Sequence, residues 1–599
     1  MAETHASIKS GYYGYPEAKE GPRTPFSHTA GANPVLRGLP LAVAGSAVAN
    51  IRLLSGLLWG NAGFSILRNV DLDGYDPRYD PTVVPVDESD ADISASIRAL
   101  GSSYKPSLTA TNRHYSIKDY HSAYEAGELT PTAVAEALLD LISKHPKHKD
   151  AFLEVRKERV IAAAEASTQR YKAGKAIGLL DGVPVGVKDE VDLQGYSKCL
   201  GSCKDFTSTK GDVTSWCVQK WEEAGVIILG KLNMHELGLD TTNNNPAKGT
   251  PLNPHNPHYY CGGSSGGSAY TVAAGLFPVT LGADGGGSIR NPSAYCGLYG
   301  LKPSHNRVSG FPATSLAPSC GVLGPMASNM ADLEYTYRIL AIPNPSDSIS
   351  SMFPVPVPKP AGQDKVIGIY KPWFDLADPS VLNACHAAIA HYESSGYKVI
   401  DITIPYVSEG QLAQAVTILS EISAGVPSVS GLTSANKILI SVGKQTPASD
   451  FLLAQKMRNL LMQHLAFLFE QHPGLLIVTP TTPNAGWHIS GGAADLKSGV
   501  SDANMSVRSM IYVWLANFSG CPAISVPVGR VDAKEGKGKI PVGLMAVGEW
   551  GAEDSLIEWG RVAEQWAWEH GEDRMGKPEN WVDVMELAKD RQGLGESGN

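Results

Sequence analysis

Cys261-Gly262-Gly263-Ser264-Ser265-Gly266-Gly267-Ser268 and Asp284-Gly285-Gly286-Gly287-Ser288-Ile289-Arg290-Asn291-Pro292 are the stretches on which the reading of this chain turns. Each sets a serine among glycines. Acyl transfer needs a nucleophile, a base and backbone N–H donors that converge on the developing oxyanion. Glycines leave those donors unobstructed. The run Gly285, Gly286, Gly287, Ser288 supplies four consecutive N–H groups beside a hydroxyl. Three other readings compete. Gly262 to Gly266 fits G-x-S-x-G, but a nucleophile elbow needs a preceding strand, which the Asn- and Pro-containing approach from Asn253 to Tyr260 does not offer. A phosphate cradle would need a following G-K-[ST], which is missing. A purely structural Gly/Ser loop is the third.

Moving outward, Asn243 to Gly310 is crowded with Gly, Ser, Asn and Pro, and so long a loop-rich stretch inside a compact domain is usually functional. Around it, short β-branched runs (Val183–Val187, Val226–Leu229, Val366–Ile369) alternate with helical periodicity near Val213–Ala224 and Leu382–Ser395. That alternation predicts a layered α/β body. From Ser116 the helical pattern is strong, with Thr130 placed to cap a helix whose first residue is Pro131. Met1 to Pro34 is rich in Gly, Pro, Ser and Thr and reads as a flexible tail. Residues 35–115 read as a helical extension followed by an acidic, Pro-containing linker over Asp71 to Asp92. Residues 116–587 form the expected catalytic domain and 588–599 a frayed C-terminal tail.

The apolar stretch Leu39 to Val70 needs a separate account. Arg52 and Arg68 interrupt it, so no uncharged window reaches the roughly 18 residues of a spanning helix. A helix packed on the body or on a second subunit is preferred, with contact to a membrane surface as the alternative. The N-terminus has no apolar core of a secretory signal. The chain's 599 residues carry a formal net charge of −10 and no long Lys/Arg run, which argues against nucleic-acid binding. The eight cysteines are scattered; Cys199 and Cys203 lack a nearby second pair to complete a zinc site. Reduced thiols in a cytoplasmic enzyme are the expectation.

The base is less obvious. None of the sixteen histidines has a local carboxylate-and-serine context, His145, His148, His235, His255 and His258 included. Lys188 ends the apolar run Gly182 to Val187. A lysine buried there loses hydration of its charge, its pKa falls, and it can act as a neutral base. The alternative for a lysine at a strand end is a snorkelling surface residue.

Taken together, these motifs resemble those of the amidase-signature hydrolases. The match runs through Gly182 to Asp189, Gly230 to Glu236, Gly262 to Ala269, Asp284 to Pro292, Gly297 to Pro303, Gly520 to Gly529 and Pro541 to Leu544, from about Ser116 to Trp581. The resemblance implies an α/β amidase-signature fold, a large mixed central sheet covered by helices on both faces, here with an N-terminal helical extension. It implies a Ser–Ser–Lys triad in which Ser288 is the nucleophile, Ser264 the bridging serine after a cis peptide bond, and Lys188 the base. The N–H groups of Gly285, Gly286, Gly287 and Ser288 would form the oxyanion hole, with Ser265, Asp284 and Arg290 bracing the two loops. No metal and no cofactor are implied. One departure stands out: position 285, a glycine here, is usually larger in the family.

The expected activity is hydrolysis of C–N acyl bonds in small to medium amides, anilides or carbamate esters through an acyl-enzyme, as in fungal amidases and urethanases of the family. The alternatives are a fatty-amide hydrolase docked on a membrane surface and, behind it, the glutaminase subunit of a tRNA-dependent amidotransferase. A homo-oligomer is expected. The acyl pocket is expected within Ile418–Gly431 and Thr479–Ser490, with Trp487 and His488 as candidates for shortening it.

Overall fold

The computed structural model describes residues 9, 11–28, 31, 33–86, 101, 104–106, 113–207, 213–358, 364–570 and 576–596. Eleven strands form its central sheet. In chain order they are β1 (Phe152–Glu154), β2 (Pro184–Lys188), β3 (Ile227–Leu232), β4 (Val279–Asp284), β5 (Tyr299–Lys302), β6 (Val322–Ala327), β7 (Val366–Ile369), β8 (Lys398–Asp401), β9 (Leu475–Pro480), β10 (Ala523–Asp532) and β11 (Lys539–Val547). Their spatial order is β8-β7-β9-β11-β10-β5-β6-β4-β2-β3-β1. The pairings β8/β7, β7/β9, β4/β2 and β2/β3 are parallel and the others antiparallel, so the sheet is mixed. Strands β2, β3, β4 and β9 are buried along their whole length. That is the signature of strands covered on both faces, and it explains why β2 and β3 read as apolar runs without alternation. The expected α/β architecture is therefore the observed one.

Helices of the fold include α1 (Gly38–Asn50), α2 (Arg52–Asn61), α3 (Pro131–Lys144), α4 (Gly266–Ala273), α5 (Arg290–Cys296), α6 (Val407–Gly425), α7 (Ser434–Gly443), α8 (Ala448–Gln471) and α9 (Val584–Glu596). Helix α3 begins as its sequence dictates: the Thr130 hydroxyl accepts the Ala133 N–H at 3.1 Å, and Pro131 takes the first turn, where no N–H is needed.

The ends of the chain differ from expectation. Within the stretch read as a flexible tail, residues 11–28 form a strap laid on the body. Tyr12–Tyr13 pair with Val84–Pro85. The buried Tyr15 donates its hydroxyl to Glu549 at 2.6 Å and meets the Trp550 ring edge-on. The composition suggested disorder, but aromatic anchors between the glycines and prolines supply enough burial to fix the strap. The expected tail 588–599 is likewise mostly helix, in α9, where Ala588 is fully buried and Arg591 meets Glu136 at 3.1 Å. Residues 1–8, 10, 29, 30, 32, 87–92 and 597–599 of the expected tails and linker lie outside the described residues.

The apolar extension is two helices, α1 and α2, bent by 106°. No single helix among the described residues is long and apolar enough to cross a membrane. Helix α1 packs along α7, α2 also touches α7, and α7 packs on α6. A following 3-10 turn, Phe64–Asn69, is pinned to α8 by Arg68, which grips Asp450 with two hydrogen bonds of 2.7 Å. The inner face is thus protein-packed. The outer face is not: Leu39, Leu53 and Leu57 are 76%, 72% and 61% exposed, and Val43, Ile51 and Leu58 are exposed beside them.

Candidate active site

Strand β2 ends at Lys188, and its side chain turns inward. Its Nζ donates to Ser264 Oγ at 2.8 Å and to the Ala283 carbonyl at 3.0 Å, and it lies 3.3 Å from Glu190 Oε2. The side chain is 1% exposed. Burial pushes the Lys188 pKa below its ordinary value, against the opposing pull of Glu190 and, more distantly, Asp284. The snorkelling alternative fails on this geometry.

The Gly263–Ser264 peptide is cis. The Ser264 carbonyl accepts the His235 N–H at 3.1 Å. Ser265 joins the two serine loops: its N–H donates to the Ser288 carbonyl at 3.2 Å, and its hydroxyl donates to the Ala283 carbonyl at 3.0 Å. These contacts bring β2, the 261–268 loop and the 284–292 loop to one place.

Asp284, at the end of β4, organises the second loop. Its carboxylate accepts from the N–H groups of Gly287 (2.7 Å) and Ile289 (3.0 Å), and from Arg290 through Nε and Nη2 at 3.0 Å each. Burial alone would raise its pKa, but the Arg290 guanidinium and these N–H donors hold it well below the usual carboxylate range. Arg290 reaches on to the Val513 carbonyl (2.9 Å) and to Asn517 Oδ1 (2.6 Å), and Asn517 Nδ2 donates back to the Asp284 carbonyl at 2.8 Å. Asn517 completes a brace that sequence reasoning missed; no local motif marks it, since it lies 233 residues from Asp284.

The four N–H groups expected to form an oxyanion hole are not alike in their partners. The Gly287 N–H is already donated to Asp284. The N–H groups of Gly285, Gly286 and Ser288 have no protein acceptor among the described residues. Over them stands α6: Gln414 Nε2 donates to the Gly285 carbonyl at 3.1 Å, and a Cβ built on Gly285 would lie 3.2 Å from Ile418 Cδ1. A Cβ on Gly286 would meet Gln414 Nε2 and, at 3.8 Å, Met510 Sδ. Ile418 falls in the range expected for the pocket; Gln414 and Met510 do not. The spacing of four between Gln414 and Ile418, one face of a helix, was the available signal. Trp487 and His488, the candidates for shortening the pocket, have aromatic neighbours. Trp487 packs in a small cluster with Tyr260, Tyr295 and Ile489, and His488 lies against the Tyr259 ring.

Nothing precedes Ser264 as an elbow requires: the approach holds only isolated bridges, Leu252 to Tyr260 and Tyr259 to His488. His235 is buried, burial pushes its pKa down, and its Nδ1 faces Thr242 Oγ1 at 3.3 Å. Among the described residues no group of three or more His, Cys, Asp or Glu side chains is placed to hold a metal.

A sequence profile of the Amidase family matches residues 133–557. This chain belongs to the amidase family. It is an amide-hydrolysing enzyme with an amidase-signature fold. A fatty acid amide hydrolase of Medicago truncatula is 34% identical over 504 residues, 80% of each chain. A glutamyl-tRNA(Gln) amidotransferase subunit of Chloroflexus aggregans is 29% identical, covering 75% of this amidase and 96% of that protein. The crystal structure of a bacterial aryl acylamidase of the amidase-signature enzymes superposes with a TM-score of 0.65 at 21% identity, over 80% of this chain and 99% of that one.

Proposed function

We propose that this amidase hydrolyses amides of long-chain acyl groups, with Ser288 as nucleophile, Ser264 as proton relay and Lys188 as base. The observation that carries the chemistry is the 2.8 Å contact between the buried Lys188 Nζ and Ser264 Oγ. Neutral Lys188 takes the Ser264 proton while Ser264 takes that of Ser288, whose Oγ attacks the carbonyl carbon. The N–H groups of Gly285, Gly286 and Ser288 receive the oxyanion, and Asp284 and Arg290 keep the loop in shape. As the C–N bond breaks, Ser264 passes a proton to the departing nitrogen and is reprotonated by the Lys188 ammonium. Water then repeats the relay in place of Ser288 and releases the acid.

The acyl class is supported by the plant relative and by the α1–α2 surface. Gly38 to Asn61 carry one charged residue, Arg52, and their apolar outer face is of the kind that rests on lipid or protein. Helix α7, on which α1 and α2 pack, packs in turn on α6, the helix bearing Gln414 and Ile418. We therefore place lipid contact, the less favoured alternative on sequence alone, ahead of a second copy of the chain. Hydrolysis of small to medium amides, anilides or carbamate esters is the second reading, favoured by the crowding of Ile418 and Met510 near the oxyanion loop. The glutaminase-subunit reading draws on the amidotransferase relative alone and stands behind both.

The test is kcat/KM across primary amides from acetamide to oleamide, with ethyl carbamate and an anilide, using Ser288→Ala as the blank. A maximum at long acyl chains is expected. A maximum at short or aromatic acyl groups, with carbamate turnover, overturns the acyl assignment. Full activity in Ser288→Ala overturns the nucleophile.

A further inference from the structure

Lys188 opens a tight turn, closed by the Val191 N–H donating to the Lys188 carbonyl at 3.0 Å. The turn carries two carboxylates, and they have different fates. Asp189 faces away from the site: it lies 3.3 Å from Lys231 Nζ and accepts from the N–H groups of Gly201 (2.9 Å) and Cys199 (3.2 Å). Glu190 turns back along the lysine, with Oε2 at 3.3 Å from Lys188 Nζ and Oε1 held by the Ser315 hydroxyl at 3.5 Å. An ammonium has three protons, and this one has three partners: Ser264 Oγ, the Ala283 carbonyl and Glu190. Of these, only Glu190 is charged. It is also the one that touches solvent, at 22% exposure against 1% for the lysine.

We propose that Glu190 is a positioning residue for the base: its carboxylate holds the Lys188 amine on Ser264 and sets the acidity at which the lysine becomes free to accept a proton. The inference rests on the reading of Lys188 as the base. The other ionisable groups that face Lys188 do not replace Glu190. Asp284 is closed by Arg290 on its own loop. His235 is buried, and its Nδ1 faces Thr242. Asp189 is engaged with Lys231. An opposite charge this close favours the ammonium and works against burial, so Glu190 holds back the formation of the neutral base at low pH. In return it keeps Nζ aimed at Ser264 and makes the lysine a stronger base once deprotonated.

The test follows the rate at which a fluorophosphonate probe labels Ser288, across pH, in the wild-type enzyme, Glu190→Gln and Glu190→Asp, with Ser288→Ala and Lys188→Ala as controls. Glu190 is partly exposed, and glutamine keeps its size and an acceptor oxygen. In Glu190→Gln the acid limb of the rate profile is expected to move to lower pH by about 1–3 units, the usual effect of removing an opposite charge at such a distance. Glu190→Asp should return the limb towards the wild-type position, which a merely structural role would not do. A Glu190→Gln limb that coincides with wild type, or moves to higher pH, overturns the proposal. If instead Ser288→Ala still labels, or Lys188→Ala keeps the wild-type limb, the triad itself fails and the role of Glu190 falls with it.

Discussion

Gly285 and Gly287 lie two residues apart in one loop, and a methyl group added to each should have opposite consequences. At Gly285 the new Cβ meets Ile418 Cδ1 at 3.2 Å. That atom is the end of a side chain that can rotate, so Gly285→Ala should cost about 1 kcal/mol, the scale of one off-rotamer side chain. At Gly287 the backbone φ is +107°, and the Cβ would collide with Val513, whose own Cβ is 2.9 Å away. Strained backbone of that kind costs roughly 1–3 kcal/mol and overpacking a further roughly 1–3 kcal/mol, so Gly287→Ala should cost about 2–6 kcal/mol. The chain can relieve it only by moving the loop, which breaks the 2.7 Å bond from the Gly287 N–H to Asp284 and displaces the N–H groups on either side. Loss of one oxyanion donor typically costs about 10²–10³ in rate. Fluorophosphonate labelling of Ser288 and the half-life at elevated temperature measure both effects. Gly285→Ala should label within about tenfold of wild type, and Gly287→Ala at least about a hundredfold more slowly with a shortened half-life. Equal losses in the two variants, or a wild-type Gly287→Ala, would refute the account of the loop.

Three further outcomes are expected, two at Asp284 and one on the α1–α2 face. Asp284→Asn leaves the fully buried Arg290 without its counter-charge, a loss of about 3–5 kcal/mol visible in thermal unfolding; an unchanged midpoint would mean that the pair is not what braces the loop. Because the Asp284 pKa is depressed in the folded state, its contribution is present above the ordinary value of 3.8 and is lost as pH falls below it, so the wild type should lose stability on that acid side and Asp284→Asn should lack that component. Leu53→Glu with Leu57→Glu should cut binding to phospholipid vesicles at least about tenfold, while shifting stability by no more than about 0.5 kcal/mol. Vesicle binding that survives the double change, or self-association that disappears with it, would assign the α1–α2 face to something other than lipid.

What was legible in the sequence was whatever the chain encodes locally. Thr130 and Pro131 announce α3 because a cap and a first-turn proline act within four residues. Strands β2 and β3 are visible because full burial leaves apolar, β-branched runs, and β7 because its short run Val366–Ile369 is β-branched although only its two middle residues are fully buried. Lys188, Ser264 and Ser288 stood out as candidates because each sits inside a Gly-rich or strand-end motif, whereas Ser265, Asp284 and Arg290 were named through the family resemblance. The structure joins them as a spacing argument could not, through Lys188 Nζ to Ser264 Oγ and through the Ser265 N–H to the Ser288 carbonyl.

The rest was hidden because it depends on which way a group points or on what arrives from far along the chain. Gly287 looked like its neighbours, and only the Asp284 carboxylate sets it apart, by accepting its N–H. Gln414, Met510 and Asn517 come from helices and turns more than a hundred residues beyond the serine loops, and carry no motif of their own. The N-terminal strap shows the same limit in reverse. Its Gly and Pro content describes a chain that cannot form helix or sheet by itself. Its order comes from Glu549, Trp550 and His464, which accept or cover Tyr15 and Gly21 and which no local reading of residues 1–34 contains. Glu190 is the intermediate case. Its spacing of two from Lys188 was in view throughout, but a glutamate beside a lysine is ordinary at a surface. It acquires meaning only when the lysine is buried and the neighbouring Asp189 is seen to face the other way.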